Sequence, residues 1–552
     1  MEALSALESV EPKLGSEDGF RAKISKGEDV LKSALKDGFV SLEGYPPSAY
    51  LTQLTARVLR LRAPLDEETT KKISSWAWRE IEHQLALAGA KSKTADPFQL
   101  GYSIALVSDV GRSSEATPDQ GLILREALRS FFAAQLDDGT WPRSQPLFHY
   151  PKVGNAYCYE FELLTQLLSG DTLRMMLLPY LTNLSRAAYA LDSTAYRLPN
   201  GGRGWSSGHH PQLEGPESWS TASVFHFLYN LDRIVAEAIR RAVFTSLDEV
   251  YSDVAKAKSD ANAFAPGFLD CPLFYKGQIG SLKKTIYQQF VAPIAAEANA
   301  VADGRSMATT TPMSAIIFGP PGTSKTEITK QISEFLGWPR LTVDPSYFVR
   351  DGVDKIQGRA HELFRMLASS ESIVVFLDEF DEMVRDRSDE RELLSRFLTT
   401  AMLPKLATLN KSRRLVFIVA TNHIASFDIA IKRMGRFDLI IQIMPPTYGE
   451  KMKRWPKVAE KLKEFAMEDA NTRGHLEELT FDEFRALVPQ IAGAQNKDAV
   501  RLVLKEAHES CTLETKTRAS TQGGQSAEMT WRDVCKRDQQ VIRLPLEKLS
   551  EP

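Results

Sequence analysis

Two periodicities divide the chain. Up to about residue 265, apolar residues recur every three or four positions in runs such as LTQLTARVLRLRA, WAWREIEHQLALAGA and LDRIVAEAIRRAV. That spacing gives a helix one apolar face. From Ser314 short continuous apolar runs take over: SAIIFGP, RLTVD, SIVVFLDE, RLVFIVATN and LIIQI, with helical segments between them. Strand-length runs alternating with helices predict a parallel sheet in an α/β layer. After Pro445-Pro446 the helical period returns. The predicted organisation is an all-helical N-terminal domain (1–265), an α/β core (266–445), and a helical lid with a C-terminal segment (446–552).

The helical region carries a weak internal repeat. LDDGTWPRSQPLFHYPKVGNAYCYEFELLTQLL surrounds Trp141, and NGGRGWSSGHHPQLEGPESWSTASVFHFLYNL surrounds Trp205, 64 residues later. Each runs glycine, tryptophan, a proline-containing loop and an aromatic-rich helix. Repeats of this kind predict stacked helix pairs, none of which buries its apolar face alone. Gln135 to Trp141, QLDDGTW, fits Q-x-x-D-G-x-W and resembles the repeat motif of the terpene-cyclase and prenyltransferase α/α toroids. The resemblance implies paired helices tied together by Gln and Trp. It does not extend to cyclase chemistry, because the acidic D-x-D-D motif is absent. Trp141, Trp205 and Trp219 as ordinary helix-packing residues remain the other reading. A cavity for an isoprenoid-like ligand lined by His209, His210 and Glu214 is a minor alternative.

Composition removes some function classes. The 552 residues are 43% hydrophobic and 25% charged with a net charge of −3, so no global field attracts nucleic acid or an anionic membrane. Cys158, Cys271, Cys511 and Cys535 are widely spaced with no C-x-x-C pair, against a disulfide framework or zinc site. The opening stretch MEALSALESVEPKLGSEDGF has acids and no apolar core, unlike a signal peptide. No run approaches 18 apolar residues, so no membrane segment is predicted. A soluble cytoplasmic protein is the expectation.

The candidate chemistry lies in the α/β core. GPPGTSKT comprises Gly319, Pro320, Pro321, Gly322, Thr323, Ser324, Lys325 and Thr326, between the strand SAIIF and a helical run. A strand–loop–helix of this kind aims backbone N–H groups and a helix N-terminus at phosphates. Lys325 is expected to reach the β- and γ-phosphates of ATP, and Thr326 to ligate Mg²⁺. Ser324 stands where glycine is expected, which leaves tight binding open. Asp378 and Glu379 end the strand SIVVFLDE, 53 residues after Lys325. The first can hold the Mg²⁺ shell, and the second can polarise an attacking water. Adjacent acids ending an apolar strand are costly without a cation or solvent. Asn422 ends the next strand and can help place that water.

GPPGTSKT, VVFLDE, IVATN and the arginine pair of Arg433-Met434-Gly435-Arg436 together resemble the AAA+ ATPases, specifically the AAA clade with a second region of homology. The resemblance implies a P-loop NTPase core with a helical lid, and ATP hydrolysis with Mg²⁺. It also implies a homo-oligomeric ring of six, in which Arg433 and Arg436 act on a neighbour's ATP. Ile279 and Gly280 match the opening segment against the adenine; Gly493 and Ala494 match the lid helix that opens with Gly-Ala. Such rings often thread polypeptide with an aromatic loop after the second strand. Here DPSYFVRDG departs from that motif, and Tyr347 and Phe348 are open to gripping a substrate or to packing under the loop. The leading expectation is remodelling of a partner protein, with the N-terminal region as recognition or effector module. The alternative is an ATP-controlled assembly switch or scaffold with slow turnover. Nucleic-acid translocation is not indicated.

Overall fold

The computed structural model describes residues 18–41, 43–110, 118–142, 159–207, 215–251, 257–275, 278–302, 310–344, 346–352, 355–378, 403–422, 437–511, 517–519 and 527–529. The chain separates into two compact units, Met1–Ala238 and Ile239–Pro552.

The described part of the first unit is helical apart from the two-residue strands β1 (Tyr196–Arg197) and β2 (Arg203–Gly204). Its core is built on the helix Pro97–Val110, buried from Leu100 through Val107. A helix apolar on every side belongs inside a bundle. Gly101 lets this helix approach its neighbour, since a Cβ there would lie 2.5 Å from Leu163 Cδ2.

The two repeat loops use one device. Helix α1 (Pro118–Ala133) ends at the first loop, where Trp141, 2% exposed, stacks on Phe131 with ring centroids 4.9 Å apart. Its indole N–H donates to the Phe131 carbonyl at 2.8 Å, satisfying a carbonyl in the last turn of the helix. Gln135 reaches helix α2 (Leu181–Thr194): its Nε2 donates to the Asn183 carbonyl at 2.9 Å, and Asn183 Nδ2 donates back at 2.8 Å. Gly139, at φ +90°, lies so close to the Arg186 carbonyl that a Cβ would overlap it. In the second loop the Trp205 indole donates to the Leu191 carbonyl near the end of α2 at 3.0 Å. The chain then enters helix α3 (Ser218–Ser246), whose last turns, with Val243 and Phe244 buried, fall in the second unit.

After those turns, the second unit has an antiparallel hairpin, β3 (Pro272–Tyr275) and β4 (Gln278–Ser281). Five parallel strands follow: β5 (Ser314–Phe318), β6 (Arg340–Val343), β7 (Val374–Leu377), β8 (Val416–Thr421) and β9 (Leu439–Gln442), in the order β6-β7-β8-β5-β9. They are the five apolar runs of the sequence. β5, β7 and β8 are buried at every position, because helices such as α4 (Lys325–Leu336), Ile356–Ala368 and α5 (Leu403–Ser412) alternate with the strands and cover the sheet. Beyond β9 the described residues form five helices: Tyr448–Arg454, Pro456–Glu464, Ala470–Glu478, α6 (Phe481–Gly493) and Lys497–Ser510. They share a separate core that includes Val458, Leu462, Leu476, Phe484, Ile491 and Val500. Thr447, Asp469, Thr480 and Asn496 cap four of them from the side chain. Lys451 is wholly buried, and its Nζ donates to the carbonyls of Leu476, Glu477 and Leu479 at 2.5, 3.2 and 2.6 Å. A short pair, β10 (Thr517–Ala519) with β11 (Ala527–Met529), follows.

Among the described residues, no helix is long and apolar enough to cross a membrane.

Candidate nucleotide site

β5 is a continuous apolar strand that runs directly into Gly319, so the loop Gly319–Ser324 opens at the carboxyl end of the sheet. In a parallel α/β layer, that end is where ligands bind. Gly319, at φ +156°, lies against the Ile443 carbonyl so closely that a Cβ would overlap it. Its N–H donates to the Thr421 carbonyl at 3.3 Å, which ties the loop to the end of β8. Within the loop Thr323 Oγ1 donates to the Pro320 carbonyl at 2.7 Å. Ser324 takes the left-handed conformation (φ +63°, ψ +31°) and is the N-cap of α4 without a side-chain cap bond. The serine therefore occupies the backbone state that a glycine would adopt without strain.

Lys325 begins α4 and is 8% exposed. Its Nζ donates to the carbonyls of Gly319 at 3.0 Å and Pro320 at 2.9 Å, so the ammonium sits across the mouth of its own loop. Thr326 Oγ1 donates to Asp378 Oδ2 at 3.1 Å, which joins the start of α4 to the end of β7. A hydroxyl and a carboxylate oxygen at that separation form the hard oxygen donor set that Mg²⁺ takes. The first N–H groups of α4 have no partner within the helix and favour an anion. Loop, lysine and oxygen pair together fit a nucleoside triphosphate with its cation.

Asn422 follows β8, is 9% exposed, and directly succeeds the Thr421 carbonyl bound by Gly319. Glu379, Arg433 and Arg436 lie outside the described residues; their neighbours Asp378 and Phe437 are within them. Ile279 and Gly280 lie in β4, where Gly280 is exposed and has room for a Cβ. Gly493 and Ala494 stand at the carboxyl end of α6.

The structure adds a contact that sequence reasoning missed, at the other end of α6. The Phe481 N–H donates to the Gly322 carbonyl at 3.1 Å. Thr480 and Glu483 form a capping box there: Thr480 Oγ1 accepts from Glu483 N at 3.4 Å, and Glu483 Oε2 accepts from Thr480 N at 2.8 Å. A threonine with a glutamate three positions on was a readable sign of a helix start. Nothing local revealed that this start meets the phosphate loop.

The aromatic pair after β6 divides. Phe348 is fully buried in one cluster with Val243, Phe244 and Leu363. Tyr347 is partly buried under the Arg359 guanidinium, 5.5 Å from its ring centroid. Arg350 pairs with Asp248 at 2.7 Å.

A parallel sheet, a glycine-bearing loop opening a helix, and an acid at the end of β7, one strand beyond β8, define a P-loop nucleotide-binding module. Residues 315–445 match the family model "ATPase family associated with various cellular activities (AAA)", so this segment is an AAA-type ATPase domain. ATPase family gene 2 protein of Saccharomyces cerevisiae is 27% identical over 221 residues, covering 39% of this chain and 28% of that protein. An ATP-dependent zinc metalloprotease FtsH of Lachnoclostridium phytofermentans is 33% identical over 142 residues, 24% of each. The chain thus spans about a quarter of the length of these curated relatives. The FIGL-1 AAA domain superposes with a TM-score of 0.35 at 19% identity, covering 55% of this chain and 96% of that one.

Proposed function

We propose that this protein hydrolyses ATP in a ring assembly to remodel a partner protein, with the helical N-terminal region as recognition or effector module. The observation that carries the hydrolytic part is the convergence of Lys325, Thr326 and Asp378 on one loop mouth within an AAA-family domain. Bound ATP with Mg²⁺ supplies the reactive phosphoryl group. Lys325 would exchange its two carbonyl partners for phosphate oxygens, and Thr326 and Asp378 would hold the cation. Glu379 would take the proton from the attacking water, and Asn422 would orient that water.

The geometry supports a shared site. β5 and β9 run parallel, with Ala315 opposite Leu439 and Phe318 opposite Gln442. The phosphate loop follows the carboxyl end of β5, whereas Arg436 immediately precedes Phe437 and the amino end of β9. Five residues of strand span about 16 Å. The described start of β9 thus lies at the sheet end away from the phosphate loop, which favours a role for the arginine pair at a neighbour's site.

A second reading, the ATP-controlled assembly switch, draws on the burial of Phe348 and the Arg350–Asp248 pair. Phe348 anchors the loop after β6 in the core, away from a gripping role, and the exposed Arg350–Asp248 pair adds only a surface link.

Steady-state ATP hydrolysis against protein concentration tests the first reading, using wild type, Glu379→Gln and Arg436→Ala. Specific activity should rise with concentration, and each variant should lose at least about 10²-fold, within the range for a lost catalytic base or arginine finger. Wild-type protein that binds ATP without turnover would favour the switch.

A further inference from the structure

The described part of the second unit holds a polar hub remote from the phosphate loop. Asp438, the first polar residue after the arginine pair, is 19% exposed in its side chain. Its Oδ2 accepts from Met313 N at 2.9 Å, Ser314 N at 3.0 Å, Ser314 Oγ at 2.8 Å and Arg413 Nη1 at 2.8 Å. Its Oδ1 accepts from Arg413 Nη2 at 3.3 Å and Asn410 Nδ2 at 3.4 Å. The Asp438 N–H donates back to Ser314 Oγ at 3.0 Å. Arg413, 17% exposed and at φ +53°, also donates from Nη1 to the Thr311 carbonyl at 2.8 Å and to Asn410 Oδ1 at 3.0 Å.

One carboxylate thus locks together three chain segments: the approach to β5, the end of α5 and the start of β9. A bidentate arginine–carboxylate pair fixes direction as well as distance. β5 carries the phosphate loop at its far end, and β9 begins two residues after Phe437. A hydrogen-bonded joint between them fixes the start of β9, the described end nearest in sequence to the arginine pair. Simple sheet closure would not need it, since β6 and β7 pair over four residues without such a carboxylate.

We infer that Asp438, with Arg413 as its counter-ion, is a positioning device for the arginine pair that a subunit lends to its neighbour. This inference rests on the shared-site reading above. Asp438 touches no substrate; it acts through Arg433 and Arg436. A displacement of about 1 Å at a catalytic group costs up to about 10²-fold in rate. The effect should therefore fall on turnover and not on the subunit's own nucleotide affinity.

The test uses full-length Asp438→Asn, which keeps the side chain's shape and one acceptor oxygen but loses the charge. Alone, it should lose at least about 10-fold in kcat, with the ATP affinity of the dilute subunit and its sedimentation without nucleotide unchanged. Co-expressed and co-purified with Glu379→Gln subunits, it should regain hydrolysis. The Glu379→Gln neighbour lends intact arginines, while the Asp438→Asn subunit retains Glu379. Arg436→Ala co-purified with Glu379→Gln is the control for the shared site. Wild-type turnover in Asp438→Asn overturns the inference. So does rescue of Arg436→Ala without rescue of Asp438→Asn, which would mean that the hub supports only its own subunit. If Arg436→Ala itself is not rescued, the shared-site reading fails and this inference falls with it. Should Asp438→Asn not fold, Arg413→Lys goes through the same mixing, because it keeps the charge and removes the second hydrogen bond.

Discussion

Ser324 shows how one side chain can work against the loop that carries it. The left-handed backbone state costs a non-glycine residue about 1–2 kcal/mol, and Ser324 sits in it at φ +63°. Glycine would remove that cost but give back about 0.4–1 kcal/mol of unfolded-chain entropy. Ser324→Gly should therefore stabilise by about 0.5–1 kcal/mol, raising Tm by about 2 °C. Its ATP affinity should be no weaker than wild type; thermal unfolding and a nucleotide titration check both, and a lower Tm would contradict the argument. Gly319 is the opposite case, because a Cβ there overlaps the Ile443 carbonyl and the backbone has nowhere to go. Gly319→Ala should abolish ATP binding and cost about 1–3 kcal/mol through forced backbone shifts. Phe348 carries a caution for any test of threading. It is wholly buried, so Phe348→Ala should cost about 3–5 kcal/mol, and lost partner activity would report the core. Tyr347→Ala is the cleaner probe.

At the scale of elements, the five-helix lid is held by a buried cation. Burial without an acidic partner in hydrogen-bond range pushes Lys451 from its ordinary value of 10.5 down to about 7, while nearby thiols and acids oppose the shift weakly. Between those two values the unfolded chain binds more protons than the folded lid, so stability rises with pH from about 7. Cys271, raised by burial, works the other way once the unfolded thiol ionises near its ordinary 9.0. The rise should therefore be read between pH 7 and 8.5, in denaturant melts of wild type against Lys451→Met, and the variant should lack it. An equal slope in both proteins would mean that Lys451 is not the titrating group. The same scale shows why the sequence was legible where it was. Local rules sufficed for the strands: each buried run was apolar and strand-length, and each became one strand of the sheet. Trp141 and Gln135 were legible as a motif, and the structure supplies the reason, a helix carbonyl and a facing helix that both need a polar partner. Lys451 and Asp438 were not legible. Each looks like a surface charge in its own segment, and its partners lie in other segments, up to 125 residues away for Asp438 and Met313. The Phe481–Gly322 bond was hidden for the same reason, since a capping box announces where a helix begins and not what its first N–H meets.

For the whole molecule, the decisive quantity is how assembly depends on nucleotide. The amino end of β9 and the phosphate loop lie at opposite ends of one sheet, about 16 Å apart by strand length. If Arg433 and Arg436 serve a neighbour, nucleotide at the loop and arginines from the next subunit meet at the same interface. ATP binding and association are then linked, and each must strengthen the other by the same factor. Coupling of about 1–3 kcal/mol, usual for such linkage, shifts the concentration of half-assembly by about 5–150-fold. Sedimentation of Glu379→Gln, which should hold ATP without consuming it, is expected to show the larger species at lower protein concentration with ATP than without. Arg436→Ala should bind ATP but lose most of that shift. Assembly identical with and without nucleotide would remove the linkage, and with it the switch reading. A ring that forms only with ATP but turns over slowly at every concentration would instead leave the switch as the better account. Turnover that follows assembly, and stimulation of that turnover by a bound partner protein, is what the remodelling reading requires.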